Sequence, residues 1–280
     1  MEDKILIFTD LDGTLLDHKT YDYSQISEFI NFITSKALVI PNSSKTYEEV
    51  KTLSDSLYLS SPFIVENGSA IYFPKDDKFN FQTDPEEIDD HNYFQLGAKI
   101  DELESFVYSA KLEKFSKYCS FLNEMTISEI IEYTSLSERD AKHAMKRDFS
   151  LPFLWKGDKN TLNQFKAYVI SKKFNILEGG RFYHLIGNTD KGKALKFFLN
   201  MYKNSDDLNN VLTIAIGDSQ NDNEMLLESQ FSGIVKSASN KRIDMKNKNN
   251  TFYSSSSAPI GWQEVLMMMP PISKLKKREK

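Results

Sequence analysis

The chain has 280 residues, of which 40% are hydrophobic and 27% charged, a composition typical of a globular protein with one or two domains. Its formal net charge of −5 provides no general attraction for polyanions, so we expect neither nucleic acid nor an acidic membrane surface as a partner. The only cysteine is Cys119, which excludes an internal disulfide and a thiolate metal site.

The N-terminus lacks the basic flank and the long apolar stretch of an export signal, and no apolar run is long enough to span a membrane. We therefore expect a soluble, cytoplasmic protein. The sequence does not predict its oligomeric state.

The first 74 residues predict the beginning of a parallel α/β sheet. Ile5–Phe8 is a continuously apolar run, as in a strand that is buried on both faces. Two further short apolar runs, 37–40 and 63–65, predict strands, and helical spacing of apolar residues separates the three runs at 24–35 and 46–58. Alternation of this kind is typical of βαβ units.

The same alternation returns near the C-terminus, where further helices and strands of the sheet are expected. They are a helix at 191–202, a strand at 212–216, a helix at 221–228, strands at 234–235 and 252–253, and a helix at 262–268.

Between these two blocks the pattern changes to that of an α+β insertion. Helices are predicted at 100–113, 128–132 and 161–174, and Gly179-Gly180 indicates a hairpin between strands at 175–177 and 182–186. We therefore predict a core domain formed by residues 1–74 and 189–280, with residues 75–188 inserted as a second domain.

Two acidic residues follow the first predicted strand. Asp10 and Asp12 are two positions apart, so their side chains point the same way at the carboxyl edge of the sheet, where open α/β sheets bind ligands. Gly13 allows close approach of the backbone to a ligand. A calcium loop is excluded, because its sixth position would be Leu15 instead of glycine. A transferase carboxylate pair and a simple turn stay open on this motif alone.

A second acidic cluster follows the strand at 212–216. Its residues Asp218 and Asp222 reach the same sheet edge, and crowded carboxylates repel one another unless a cation lies among them. Hard oxygen ligands favour magnesium. Ser43, after the second strand, and Lys191, at the start of a helix, are suitable donors to phosphate oxygens. Taken alone, Ser43 would be better explained as a helix cap and Lys191 as a solvated lysine, and only the two acidic clusters favour phosphate binding.

The order of these motifs resembles that of the haloacid dehalogenase superfamily, and the insertion resembles the larger cap domains of that superfamily. More narrowly, several stretches resemble the mannosyl-3-phosphoglycerate phosphatase family: FTDLDGTLLDHKTY (8–21), SKT (44–46), PFIVENGSAIY (62–72), GRFYHL (180–185), DKGKA (190–194) and GW (261–262). This resemblance implies a Rossmann-like parallel-sheet core with an α+β cap, and hydrolysis of a phosphate monoester with Mg²⁺ as cofactor.

The resemblance also implies roles for the motif residues. Asp10 would be the nucleophile, and Asp12 the general acid and then base. Magnesium would be held by Asp10, the Asp12 backbone carbonyl and Asp218, with Asp222 in support. Lys191 and Ser43 would stabilise charge on the transferring phosphoryl group.

Substrate choice is expected to depend on cap residues Arg181 and His184, and on Gly13, Ser44 and Lys45 of the core. Arg181 suits the carboxylate of a glycerate group, although a surface charge would explain it as well. A packed core histidine is the rival interpretation of His184.

The substrate itself stays open on the sequence. The family usually carries an acid before Pro152, where this chain has Leu151, a departure that counts against mannose and keeps a glucosyl-3-phosphoglycerate substrate, or a mixed specificity, open. A phosphatase of another phosphorylated sugar such as sucrose phosphate, a phosphomannomutase-like isomerase and a non-catalytic binder are the alternatives.

Overall fold

The computed structural model describes residues 4–75, 81, 83–109, 112–205, 211–237, 243–245 and 248–278. Its centre is a five-stranded sheet in which every neighbouring pair is parallel. From one edge to the other, the strands are β13 (Thr251–Tyr253), β12 (Phe231–Ile234), β11 (Val211–Gly217), β1 (Lys4–Thr9) and β2 (Leu38–Pro41). The α/β fold class predicted from the sequence is confirmed.

Helices cover both faces of this sheet because its central strands are apolar on both sides. Ile5 and Ile7 of β1 pack in one cluster with α1 (Ser27–Thr34) and α10 (Ile260–Met268). Leu6 and Phe8 point the other way, towards α8 (Lys191–Ser205) and α9 (Asn223–Glu228). The core is completed by α2 (Tyr47–Ser56) and α11 (Pro270–Arg278).

A four-stranded antiparallel sheet adjoins this core. Its strands, in order, are β3 (Phe63–Val65), β4 (Ala70–Pro74), β6 (His91–Gln95) and β5 (Glu86–Ile88). β5 and β6 lie inside the predicted insertion, yet β6 pairs with β4 and Phe94 packs against the core cluster. The division of the chain into domains stays a prediction, and these pairings favour a first boundary after Gln95.

The third sheet is antiparallel and belongs to the insertion. Its strands, in order, are β7 (Cys119–Phe121), β8 (Ser150–Trp155), β10 (Tyr183–Gly187) and β9 (Phe174–Glu178). The helices of the insertion are α3 (Ile100–Val107), α4 (Glu113–Ser116), α5 (Ile127–Thr134), α6 (Glu138–Met145) and α7 (Lys159–Ser171). The predicted hairpin is confirmed, since β9 and β10 pair antiparallel.

Two helix predictions in the insertion are wrong in their extent. The single helix over 100–113 is interrupted, since α3 ends at Val107 and α4 begins at Glu113. The helix over 161–174 ends at Ser171, because Lys173 takes a left-handed conformation with φ of 65°, and the next residue begins β9.

Within the described ranges, no helix combines the length and the apolar character that a membrane span requires. The cytoplasmic location stays a prediction.

Candidate active site

The parallel pairing of β1 with β11 brings the two acidic loops together. The backbone N–H of Asp10 donates to the carbonyl of Ile216 at 2.9 Å, which continues the ladder one residue beyond β1. Asp218 directly follows β11, and carboxylate oxygens of Asp10, Asp218 and Asp222 lie within 4.8 Å of one another. All three side chains are buried, so their negative charges are concentrated at one point.

Lys191 is the cation within this cluster. It is fully buried at the start of α8, and its Nζ donates to Asp10 Oδ1 and to Asp222 Oδ1, both at 2.6 Å. Burial lowers the pKa of Lys191, but the two carboxylates outweigh it and hold the pKa above its ordinary range. Lys191 is therefore a permanent positive charge beside Asp10.

The pKa values of Asp10 and Asp218 are raised by burial and by repulsion between the carboxylates. Burial raises the pKa of Asp10 to about 7, with Lys191 opposing the shift and Asp222 adding to it. Burial, Asp222 and Asp10 likewise raise the pKa of Asp218 well above its ordinary value. A bound cation would relieve this repulsion, because it favours the ionised form of each carboxylate.

Asp222 also organises the loop that carries Asp218. Its Oδ2 accepts the backbone N–H groups of Asp218 and Ser219, both at 3.0 Å. Both Asp222 oxygens are therefore engaged, one by Lys191 and the other by the loop.

Gly13 lies where a side chain would collide with this cluster. Its φ is +81°, and a Cβ atom would lie 2.9 Å from Asp218 Oδ2. We expect Gly13→Ala to displace the Asp218 carboxylate and to lower both activity and affinity for a divalent cation, with about 1–3 kcal/mol of backbone strain. Titration of activity with Mg²⁺ measures the effect, and an unchanged half-saturating concentration would contradict it.

Asp12 belongs to a second charged group. Its Oδ2 lies 3.1 Å from Lys45 Nζ, which also donates to Glu49 Oε1 at 3.1 Å. Asp12 Oδ1 is buried and has no hydrogen-bond partner among the described residues. Burial raises the pKa of Glu49, but Lys45 and Arg147 lower it more, so Glu49 is ionised.

Ser43 and Ser44 follow β2 beside the first acidic loop. The N–H of Asn42 donates to the Thr9 carbonyl at 2.8 Å, which fixes this segment against β1. Ser43 is buried, and its Oγ accepts the Lys45 N–H at 3.3 Å.

A cavity of about 280 Å³ lies between the sheet edge and the insertion. The predicted residues that line it are Asp10, Asp12, Ser44, Lys45, Arg181, His184 and Asp218. Gly13, Ser43, Lys191 and Asp222 are buried and do not line it. The structure therefore brings the cap candidates to the same cavity as the acids.

The two cap candidates, Arg181 and His184, differ in whether their polar atoms have hydrogen-bond partners. Arg181 donates from Nη2 to the His18 carbonyl, and its guanidinium lies 5.6 Å from the centre of the Tyr21 ring. Burial, reinforced by the charges of Arg147 and Lys191, lowers the pKa of His184 to about 3. His184 is therefore a neutral side chain, and its buried Nδ1 has no hydrogen-bond partner among the described residues.

Comparison with known proteins places this site in a family. The model of the haloacid dehalogenase-like hydrolases matches residues 7–252, which include both acidic loops and Lys191. The chain belongs to this hydrolase family. The resemblance found in the sequence is confirmed.

Two relatives of this hydrolase are named phosphatases. It is 34% identical to a glucosyl-3-phosphoglycerate/mannosyl-3-phosphoglycerate phosphatase of Persephonella marina, covering 93% of this chain and 95% of the relative. It is also 34% identical to a mannosyl-3-phosphoglycerate phosphatase of Pyrococcus furiosus, covering 82% and 90%. The expected class of phosphoric monoester hydrolase is confirmed at the level of the family.

Solved structures support the fold of this hydrolase. A haloacid dehalogenase-like hydrolase from B. subtilis superimposes with a TM-score of 0.63 at 16% identity, covering 94% of this chain and 98% of that one. This likeness concerns the fold alone.

Three charged residues in the cavity region of this hydrolase are not predicted from the sequence. Glu49 had a signal, since Thr46 and Glu49 form a capping box at the start of α2. Glu66 directly follows β3, and its carboxylate accepts the N–H of Asp148 at 3.0 Å and the Ser150 hydroxyl at 2.5 Å. Arg147, which lines the cavity, is the third. The pairing of Glu66 with the cap segment is tertiary and has no local signal.

Proposed function

We propose that this hydrolase is a Mg²⁺-dependent phosphatase that removes the phosphate of glucosyl- or mannosyl-3-phosphoglycerate, a step in the synthesis of glucosylglycerate or mannosylglycerate as compatible solutes. The observation that carries the proposal is the buried Asp10 carboxylate, bonded to Lys191 and adjoining Asp218 and Asp222 at the cavity. The names of the relatives support the substrate class.

The acidic cluster fits a divalent cation. Three carboxylates against the single ammonium of Lys191 leave an excess of two negative charges, and hard oxygen donors are the ligands that Mg²⁺ prefers. Asp10 and Asp218 would hold the ion with the Asp12 carbonyl, and Asp222 would support them. When bound, Mg²⁺ neutralises charge between the nucleophile and the phosphate.

In the first step Asp10 is the nucleophile and Asp12 is the general acid. An Asp10 carboxylate oxygen attacks phosphorus, the bond between phosphorus and the ester oxygen breaks, and Asp12 gives its proton to the leaving alkoxide. Lys191 holds the Asp10 carboxylate through a hydrogen bond and stabilises the negative charge that develops on the phosphoryl group. Its ammonium is already in place, so no reorganisation is needed.

The second step reverses the role of Asp12. Its carboxylate takes a proton from water, which attacks the phosphorus of the aspartyl-phosphate and frees Asp10 together with inorganic phosphate. Lys45 Nζ, 3.1 Å from Asp12 Oδ2, holds this side chain in position for that role.

The insertion would act as the cap that covers the substrate. It already contacts the core, since Tyr21 donates to the Thr134 carbonyl at 2.6 Å and Thr46 donates to the His143 carbonyl at 3.0 Å. A closed cap excludes water other than the attacking molecule. Arg181, His184 and Lys45 line the enclosed space and would contact the substrate beyond its phosphate.

A phosphate-release screen tests the proposal. Purified protein with Mg²⁺ is expected to hydrolyse glucosyl- and mannosyl-3-phosphoglycerate with higher kcat/KM than sucrose phosphate or hexose phosphates. Isomerised sugar phosphate without free phosphate would instead indicate a mutase. Absence of turnover for every phosphomonoester would overturn the proposal in favour of a non-catalytic binder.

Removal of divalent cations should abolish turnover reversibly. We expect EDTA to eliminate phosphate release, because the three carboxylates then repel the substrate phosphate, and added Mg²⁺ to restore it. Calorimetric titration of the metal-free protein should show binding of Mg²⁺ at a site that Asp218→Asn weakens. Full activity in excess chelator would refute the metal requirement.

A further inference from the structure

Arg147 has a largely enclosed side chain, and its buried Nε has no hydrogen-bond partner among the described residues. Its side chain is 10% exposed and lines the cavity that also contains Asp10 and Asp12. It lies between α6 and β8, in the cap segment that Glu66 fixes through the N–H groups of residues 148 and 149. The segment is therefore held in place independently of any ligand.

Among the residues that the structure describes, only the Nη1 end of the guanidinium has hydrogen-bond partners. Nη1 donates to the Ser44 carbonyl and to Ser150 Oγ, both at 3.0 Å. Glu66 Oε2 is 3.9 Å from Nη1 and Glu49 Oε2 is 4.0 Å from Nη2, too far for hydrogen bonds. Among the described residues Nε has no partner although it is buried.

This geometry leaves the bidentate edge open. Nε and Nη2 form the edge with which arginine binds a carboxylate through two parallel hydrogen bonds. A buried donor without a partner destabilises the protein, so a native structure that keeps one suggests that a ligand supplies the acceptor. Glu49 does not serve, since its Oε1 accepts from Lys45 and its Oε2 from the Thr46 N–H.

The neighbouring cap strand shows the same feature. His184 of β10 is buried and lines the same cavity, and its Nδ1 also lacks a partner among the described residues. It pairs with Pro152 of β8, two residues beyond Ser150, to which Arg147 donates. Two unpartnered polar groups thus lie on adjacent parts of the cap.

We propose that Arg147 is a specificity-determining residue that binds a carboxylate of the substrate, close to the phosphate, through Nε and Nη2. This deepens the proposed function and rests on it for the position of the phosphate at Asp10. The class of ligand is a phosphate monoester whose ester carbon adjoins a carbon that bears a carboxylate. Arg181 is the rival residue, but its guanidinium already donates to His18 and lies over Tyr21.

Binding of two matched probes tests the assignment without turnover. The probes are 3-phosphoglycerate and glycerol 3-phosphate, which share the phosphate ester and differ by a carboxylate in place of a hydroxymethyl group. Calorimetry in the Asp10→Asn background with Mg²⁺ gives the ratio of their dissociation constants. We expect 3-phosphoglycerate to bind at least about 30-fold more tightly.

Variants assign that preference to one residue. When Arg147→Gln is combined with Asp10→Asn, the ratio of the two dissociation constants should fall close to one. Arg147→Lys should retain part of the preference for 3-phosphoglycerate, because the positive charge remains although the edge that forms two hydrogen bonds is lost. Arg181→Gln tests the rival residue and should leave the ratio unchanged, and Arg139→Gln, at an arginine of α6 whose side chain is 71% exposed, is the matched control. The ratio is the readout, since lost packing weakens both probes equally.

Several outcomes would overturn the assignment. They are a ratio close to one before Arg147 is changed, equal weakening of both probes by Arg147→Gln, and loss of the ratio in Arg181→Gln alone. If Arg147→Gln fails to fold, the Asp10→Asn ratio and the Arg147→Lys variant still decide the question. Failure of the proposed function is separate, because it is seen as absent phosphate release by the wild-type protein.

Discussion

Replacing Asp10 with asparagine is expected to lower phosphate release at least about 10⁴-fold, because the amide has no nucleophilic oxygen anion. The variant should fold, since asparagine has nearly the same shape and its carbonyl can still accept from Lys191. Removal of a buried carboxylate whose pKa is raised to about 7 also relieves repulsion with Asp218 and Asp222. Steady-state phosphate release and thermal unfolding measure both effects.

The matched control for this prediction lies on the same segment. Asp17 is outside the acidic cluster, and its carboxylate accepts from the N–H groups of Lys19 and Thr20. We expect Asp17→Asn to keep most of the activity. An Asp10→Asn enzyme within tenfold of the wild type would refute the aspartyl-phosphate mechanism.

The acidic cluster could be predicted from sequence because it depends on local rules. Apolar runs ending in Asp10 and Asp218 predict strands buried on both faces, and parallel strands deliver their carboxyl ends to one edge. The register of β1 against β11 then sets Asp10 beside Ile216, two residues before Asp218. Periodicity alone sufficed for this part of the site.

The cap side of the cavity could not be predicted in the same way. Arg147 is positioned by Ser44 and Ser150, and Glu66 holds its segment, so three separate parts of the chain decide where one guanidinium lies. Such contacts leave no periodic signal. The two strands at 86–95 likewise have a weak sequence pattern, because both carry many polar residues. Their pairing is tertiary, since β6 pairs with β4 and β5 pairs with β6.

The Trp262 indole is connected to Asp10 through hydrogen bonds, although it does not line the cavity. Its Nε1 donates to Thr9 Oγ1 at 3.0 Å, and Thr9 Oγ1 in turn donates to the Asp10 carbonyl at 2.8 Å. The closing helix α10 thereby fixes the backbone of Asp10. Sequence matching singled out Gly261-Trp262, but only the structure connects this pair with Asp10.

Lys191→Met should cost both activity and stability, since it removes the ammonium bonded to two of three crowded carboxylates. We expect phosphate release to fall about 10³-fold with loss of this electrostatic stabilisation. In EDTA the free energy of unfolding should drop by about 3–5 kcal/mol, as for other buried ion pairs that lose one partner. Urea unfolding monitored by fluorescence measures the change, with Lys193→Met on the exposed side of α8 as the matched control.

The pH dependence of that loss has a definite sign. Lys191 lowers the pKa of Asp10, so its removal raises a pKa that burial already holds at about 7, far above the unfolded value. A carboxyl group whose pKa is raised by folding binds more protons in the native state, and stability therefore falls as pH rises. In EDTA the destabilisation should grow as pH rises through about 7 and above, where Asp10 ionises in the wild type but stays protonated in the variant, and it should shrink when Mg²⁺ is added, because the cation replaces the missing charge. If the loss of unfolding free energy in Lys191→Met depends on neither pH nor Mg²⁺, the proposed electrostatic interaction between Lys191 and the three carboxylates is wrong.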